Sequence, residues 1–424
     1  MDTKEPPRVA SPPGPVGYPI VEVEVTPPLA PTVVPAGAAG VALVMRHAGR
    51  PIGFVMVPRP ADGVIDAETL ARLIGEEAGT RILQARLRAD LLPRDGAAAL
   101  SASLTVAVCS RDRPADLARC LESVLRVQRP ARGARPRFEV LVVDNAPSDD
   151  RTAALAASLP GVRYVREPRP GLDFARNRAA REAGGDFLAF LDDDVTMDRH
   201  WLDGLHEARR DHPDAAVFTG LVLPYELATE AQCLFERRGG FRRGFDTLRY
   251  RGQTLPGNPC YPCGAGIFGA GCNMTFRRRT LLELGGFDEA LDTGPPLPGG
   301  GDLDIFYRAI RAGHALVYEP RLLVFHRHRR ERPTLRRQYW TWGLGFMAFV
   351  AKSYAAEPSQ RSKFRTLLRW WFEDQLRQVV RSVRGRHALP VDMVCAELMG
   401  GLAGLAGAYS RSARSARRIR ERVT

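Results

Sequence analysis

The chain has 424 residues, 45% of them hydrophobic and 26% charged. That suits a soluble globular protein of two or three domains and excludes wholesale disorder, collagen and a multi-span membrane protein. Sixty-one basic and 48 acidic side chains leave a net charge of +13, almost all from arginine because lysine occurs only as Lys4, Lys352 and Lys363. Such a surplus resembles a nucleic-acid signal, but a GC-rich coding bias also produces arginine in place of lysine; it is read as evidence for acidic ligands such as nucleoside diphosphates or for an anionic membrane surface, and no nucleic-acid partner is expected. Seven cysteines do not make a disulfide framework. No apolar core follows a basic flank at the start, so no secretory signal is expected and the reading is cytoplasmic. Val25 to Met45 is uncharged, but Pro27, Pro28, Pro31 and Pro35 forbid a spanning helix, and the uncharged run Gln338 to Ala351 is too short for one.

Residues 1–20 are Pro-rich and expected to be a disordered tail. A small α+β unit follows over 21–100. Its strands are expected at Val41–Met45 and Pro51–Val57 about a turn at Gly49, with a helix over Ala67–Ala78 capped by Asp66. Asp95–Ala99 marks the next boundary.

The main domain, 101–335, opens on the fully apolar strand Leu104–Cys109. Helices at Pro114–Val127, Asp150–Leu159 and Ala175–Ala183 alternate with strands at Phe138–Asp144, Val162–Val165 and Phe187–Leu191. This βαβ spacing predicts a mainly parallel sheet flanked by helices. A helical extension covers 336–424.

Ligands of an open parallel sheet bind beyond the carboxyl ends of its strands. There the sequence places Ser110 to Arg113, Asp144-Asn145 and Asp192-Asp193-Asp194. One aspartate suffices for a turn or a helix cap. Three adjacent carboxylates repel one another, and they suit a hard divalent ion, Mn²⁺ or Mg²⁺, shared with phosphate oxygens. His326 ends a further apolar strand, Leu322–Phe325, and is assigned with Asp192 and Asp194 as a metal ligand.

Eight segments carry a family resemblance. They are Val108–Pro114, Val142–Asp149, Gly171–Asn177, Phe190–Asp194, Gly271–Arg277, Gly285–Glu289, Gly299–Asp304 and His326–Arg329. In this order they resemble the family 2 glycosyltransferases of the GT-A (Rossmann-like) fold, over about half the chain. The resemblance implies transfer of a sugar from a UDP- or dTDP-type nucleotide-sugar to an acceptor hydroxyl on a glycan, lipid-linked carrier or small molecule. It implies inversion at the anomeric carbon. Ser110, Arg113, Asp144, Arg176, Asp192 and Asp193 would bind the nucleotide-sugar, Asp192 and Asp194 the metal, and Asp302 would be the catalytic base. The glutamate the family commonly carries before that base is here Gly301, which puts acceptor recognition in question and admits a non-catalytic binding module as an alternative. A retaining transferase is the other alternative.

Other motifs have plainer readings. Asp304 is expected to cap the helix Leu303–Ala312. Cys260, Cys263 and Cys272 supply one ligand too few for zinc. Trp340, Trp342, Trp370 and Trp371 fall at helical spacing and read as core. Gly299–Gly301 reads as a flexible approach. Arg327 to Arg337 and Arg411 to Arg422 read as solvated faces, with peripheral contact to the inner face of a membrane as a further expectation for the C-terminal segment.

Overall fold

The computed structural model describes residues 16–26, 28–91, 102–128, 138–294 and 297–423. The expected disordered tail over 1–20 does not hold at its end: Tyr18 is buried and donates its N–H to the Leu227 carbonyl at 2.7 Å, and Ile20 opens a strand. Residues 1–15 and the boundary at Asp95–Ala99 lie outside the described residues. The chain divides into two compact units, Met1–Leu92 with Glu226–Cys233, and Pro93–Tyr225 with Leu234–Thr424.

In the first unit, strand Ile20–Glu24 pairs parallel with Gly40–His47, which pairs antiparallel with Arg50–Pro58. The hairpin turns at Ala48 and Gly49, both at positive φ. The helix runs from Ala67 to Leu91, well past Ala78. Gly79 looks like a stop, but good helix formers follow it with no proline. Asp66 caps this helix, accepting from the Thr69 N–H at 2.7 Å. Val41, Leu43, Met45, Ile65, Leu70 and Ile74 form its core.

The second unit is built on a nine-stranded sheet. Leu104–Ser110 lies between Glu139–Asn145 and Phe187–Asp192, parallel to both, and Val162–Glu167 extends the parallel run. Asn273–Arg277 joins Phe187–Asp192 antiparallel and carries the sheet on to Ala215–Pro224, which pairs parallel with Ala315–His326. Helices on both faces explain why Leu104–Ser110 is buried throughout. Asn273 locks this half of the sheet. Its amide donates to the Leu322 carbonyl at 2.7 Å and the Leu221 carbonyl at 3.2 Å, and its oxygen accepts from the buried Trp201 indole at 3.1 Å. Each of these buried polar groups would otherwise cost about 1–3 kcal/mol.

The helices Arg332–Ala356, Arg361–Val383, Val391–Ala403 and Tyr409–Val423 complete the unit. Arg332–Ala356 and Val391–Ala403 pack backbone to backbone. A Cβ on Gly343 would lie 2.0 Å from the Glu397 carbonyl, and one on Gly400 2.0 Å from that of Trp340. By length and composition, Val391–Arg422 is apolar enough to cross a membrane, a stretch that charge counting had passed over. Here it breaks at Ala406 and Gly407, which leave helical geometry. Of the four tryptophans expected in the core, Trp371 is buried, but Trp340 and Trp370 are 38% and 51% exposed. Helical spacing gave a face, and that face turns partly outward.

Candidate active site

The four parallel strands lie in the order third, second, first, fourth, so connections diverge between Leu104–Ser110 and Phe187–Asp192. A crevice opens where they part. Register sets Ser110 opposite Asp144 and Cys109 opposite Asp192, bringing two predicted clusters to one edge. His326 arrives from the far side, because Val195–Met197 pairs antiparallel with the end of Ala315–His326.

Asp193 turns inward. It accepts from Ser110 Oγ at 2.8 Å and from Arg113 Nη1 at 2.5 Å, and burial pushes its carboxyl up to about 7. Arg113 also reaches Asp194 Oδ2 at 3.1 Å, with Arg329 Nη1 3.9 Å from the same oxygen. Burial works against the Asp194 carboxylate, but the His326 ring, which carries charge only at low pH where this carboxyl titrates, and the Arg113 and Arg329 guanidiniums outweigh it and hold the group below the usual range.

Asp194 Oδ1 is buried and accepts no hydrogen bond, although His326 Nε2 lies 3.3 Å away. Burial pushes His326 down to about 4, so the ring is neutral at pH 7. Among the described residues no three metal-ligating side chains converge into a cage. An orphan carboxylate oxygen beside a neutral imidazole, with the partly exposed Asp192 adjacent, fits a divalent ion that takes its remaining ligands from a diphosphate and water.

Arg176, buried on the helix Leu172–Glu182, is surrounded by carboxylates. Asp173 lies at 3.1 Å and Asp192 and Asp292 each at 3.7 Å, and Asp302 adds its field. Burial pushes Asp173 well up and both Asp192 and Asp292 to about 6. A carboxyl raised in the fold costs no ionisation work below its unfolded value near 4, and costs progressively more as pH climbs through 6. Asp292→Asn, which keeps an oxygen for the Gly301 N–H, is therefore expected to match the wild-type melting temperature at pH 4. At pH 7 it should exceed it, by up to about 3 kcal/mol of stability. A melting difference that does not change between these two pH values would refute this account of Asp292.

Asp302 stands in the first turn of the helix Gly301–Arg311, where the backbone favours negative charge. Its Oδ2 accepts from the Gly271 N–H at 3.1 Å. The glycines before it serve close approach more than flexibility. Gly299 and Gly300 hold φ of 147° and 105°, and a Cβ on Gly301 would lie 2.0 Å from Asp173 Oδ2. Asp304 does not cap the helix as expected. It is buried and paired with Lys352 at 2.5 Å and Arg308 at 2.7 Å.

One cavity of about 740 Å³ is lined by Ser110, Arg113, Arg176, Asp192, Asp193, Asp194, Asp302 and His326. Asp144 sits just behind its wall. Its Oδ2 accepts from the Tyr164 hydroxyl at 2.9 Å, and its Oδ1 is buried without a partner. The neighbouring Asn145 lines the cavity instead. Asp292, Arg243, Trp342 and Glu397 also line it, and sequence reasoning missed these as site residues. Asp292 and Arg243 come from loops whose course no strand or helix pattern fixes.

Residues 105–268 match the family described as Glycosyl transferase family 2. The chain is similar to the succinoglycan biosynthesis protein ExoM of Rhizobium meliloti, at 31% identity over 52% of this chain and 65% of that protein. It is also similar to the glucosyl-dolichyl phosphate glucuronosyltransferase of Haloferax volcanii, at 26% identity over 45% of this chain and 56% of that protein. The chain thus spans less than two thirds of either relative's length. A mannosyltransferase of Pyrobaculum calidifontis, solved with GDP-Man and Mn²⁺, is similar over 76% of this chain and 94% of its own, at 16% identity and a TM-score of 0.44.

Proposed function

We propose that the chain moves one sugar from a nucleoside-diphosphate sugar of UDP or dTDP type to an acceptor hydroxyl, inverting at the anomeric carbon. The observation that carries this reading is the single cavity joining the Asp302 carboxylate to the Asp192–Asp194 run and to the Arg113, Arg176 and Arg329 guanidiniums. Those cations complement a diphosphate. Asp302 accepts the acceptor's proton as the new C–O bond forms and the bond to the diphosphate breaks. Asp194 and His326, with Asp192 beside them, would hold Mn²⁺ or Mg²⁺. Such an ion neutralises charge on the leaving group.

A thermal-shift series over nucleotide-sugars, with and without Mn²⁺, tests the donor, because a ligand of the folded state raises stability by mass action. Asp194→Asn is expected to lose the metal-dependent part of that shift with its fold intact. An unchanged shift at low Mn²⁺ would remove the metal assignment. Proton NMR of the product reads the anomer, and retention there would overturn the inverting mechanism.

We further propose peripheral contact with the cytoplasmic face of an anionic membrane. On helix Arg361–Val383, the exposed Trp370, Leu376, Val380 and Val383 interleave with the exposed Arg365, Arg369, Arg377 and Arg381. A lipid-linked acceptor would suit such a surface, and the Haloferax relative is named for a dolichyl-phosphate-linked substrate. Flotation with vesicles containing phosphatidylserine is expected at low salt and lost at high salt. No flotation at low salt would remove this proposal.

A further inference from the structure

Behind the orphan oxygen of Asp194 runs a buried line of polar groups that the transfer reaction does not itself use. Glu236 Oε1 lies 2.8 Å from His328 Nε2. His328 Nδ1 lies 2.9 Å from His326 Nδ1, and His326 Nε2 lies 3.3 Å from Asp194 Oδ1. All four residues are at most 7% exposed. The other Glu236 oxygen accepts from Arg242. Phe235 packs against His328 with ring centroids 4.6 Å apart, and Phe241 against His326 at 4.9 Å and His328 at 5.9 Å, so neither imidazole turns freely.

The hydrogen-bond pattern assigns the protons along this line. An arginine-paired carboxylate only accepts, so His328 carries its hydrogen on Nε2. Because Arg242 already balances the Glu236 charge, the assignment takes His328 as the neutral ring, whose Nδ1 is then a lone pair, and the facing His326 Nδ1 must donate. That leaves a lone pair on His326 Nε2, aimed at a carboxylate oxygen that also only accepts. Two acceptors 3.3 Å apart repel unless a cation sits between or beside them. We propose that Glu236 and His328 are positioning residues for the metal: they fix the His326 tautomer so that a bare Nε2, and not an N–H, faces Asp194. This rests on the metal reading above and adds the groups that orient its histidine ligand.

Glu236→Gln is a sharp test because it keeps shape and inverts the chain of donors. Arg242 would claim the amide oxygen, turning the amide N–H₂ toward His328. His328 would then accept at Nε2 and donate from Nδ1, leaving His326 with a hydrogen on Nε2. Long-range ¹H–¹⁵N spectra of the labelled, metal-free full chain read both tautomers directly. Wild type is expected to show His326 protonated on Nδ1, and Glu236→Gln to show it protonated on Nε2. Mn²⁺ affinity, measured by electron paramagnetic resonance of free Mn²⁺ in the presence of UDP, is expected to fall about 10–100-fold in Glu236→Gln and in His328→Phe. The second variant preserves an aromatic ring between Phe235 and Phe241, and unchanged near-ultraviolet circular dichroism shows that each variant is folded.

A wild-type His326 protonated on Nε2 would overturn the proposal. So would wild-type Mn²⁺ affinity in both variants. A wild type that binds no Mn²⁺ would sink the metal reading and the proposed role with it, while the tautomer spectrum separately decides whether the relay exists.

Discussion

Asp302→Asn is expected to lower glycosyl transfer by about 10²–10⁴-fold and to leave donor binding unchanged. The amide still offers an oxygen to the Gly271 N–H, which Asp302 Oδ2 engages at 3.1 Å, so the local structure has no reason to move. What is lost is a site for the acceptor's proton. Asp304 cannot stand in, because Lys352 and Arg308 occupy it away from the cavity. A thermal shift with donor equal to wild type, together with the loss of turnover, separates this from a binding defect. Near-normal turnover would mean that the base is another group, and Asp292, on the same cavity, would be the first to examine.

Arg176→Met should have the largest effect on stability. The guanidinium is the shared counter-charge for Asp173, Asp192 and Asp292, and removing it leaves buried carboxylates facing one another. Breaking a buried pair in this way costs about 3–5 kcal/mol. The loss has a pH signature. Asp173 and Asp292 already have raised pKa values from burial, and without the arginine they rise further. Stability should therefore be lost mainly as pH rises through and above 6, and largely recovered near pH 5. Adding Asp292→Asn to the variant should restore part of the loss at pH 8, since the two residues share one interaction. If Arg176→Met melted like wild type at pH 8, the arginine would not be the charge centre described here.

The sequence made the first half of the sheet legible because its strands are short, apolar and separated by helices, and because each ends in polar residues. Ser110, Asp192 and His326 could be placed at one edge on that ground alone. The same logic stopped where pairing is not local. Asn273–Arg277 runs against its neighbours and links two parallel groups, a role that no periodicity announces. The triple aspartate showed that carboxylates gather, but not that Asp193 turns inward to Ser110 and Arg113 while Asp194 keeps one oxygen open. Those directions are set by packing against residues about 80 positions away. Gly301 read as a lost acid. The space where its side chain would begin is taken by the Asp173 carboxylate, from a helix more than 120 residues earlier in the chain.

The central claim is that Asp302 and the Asp192–Asp194 edge act together on a nucleoside-diphosphate sugar. Release of nucleoside diphosphate from a panel of such sugars tests it most directly, with Mn²⁺ present and water serving as a slow acceptor. The account predicts release by the wild-type chain from at least one donor that also raises its melting temperature, and greatly reduced release by Asp302→Asn at equal donor binding. Donor binding without release by the wild-type chain, or equal release by both proteins, would contradict it.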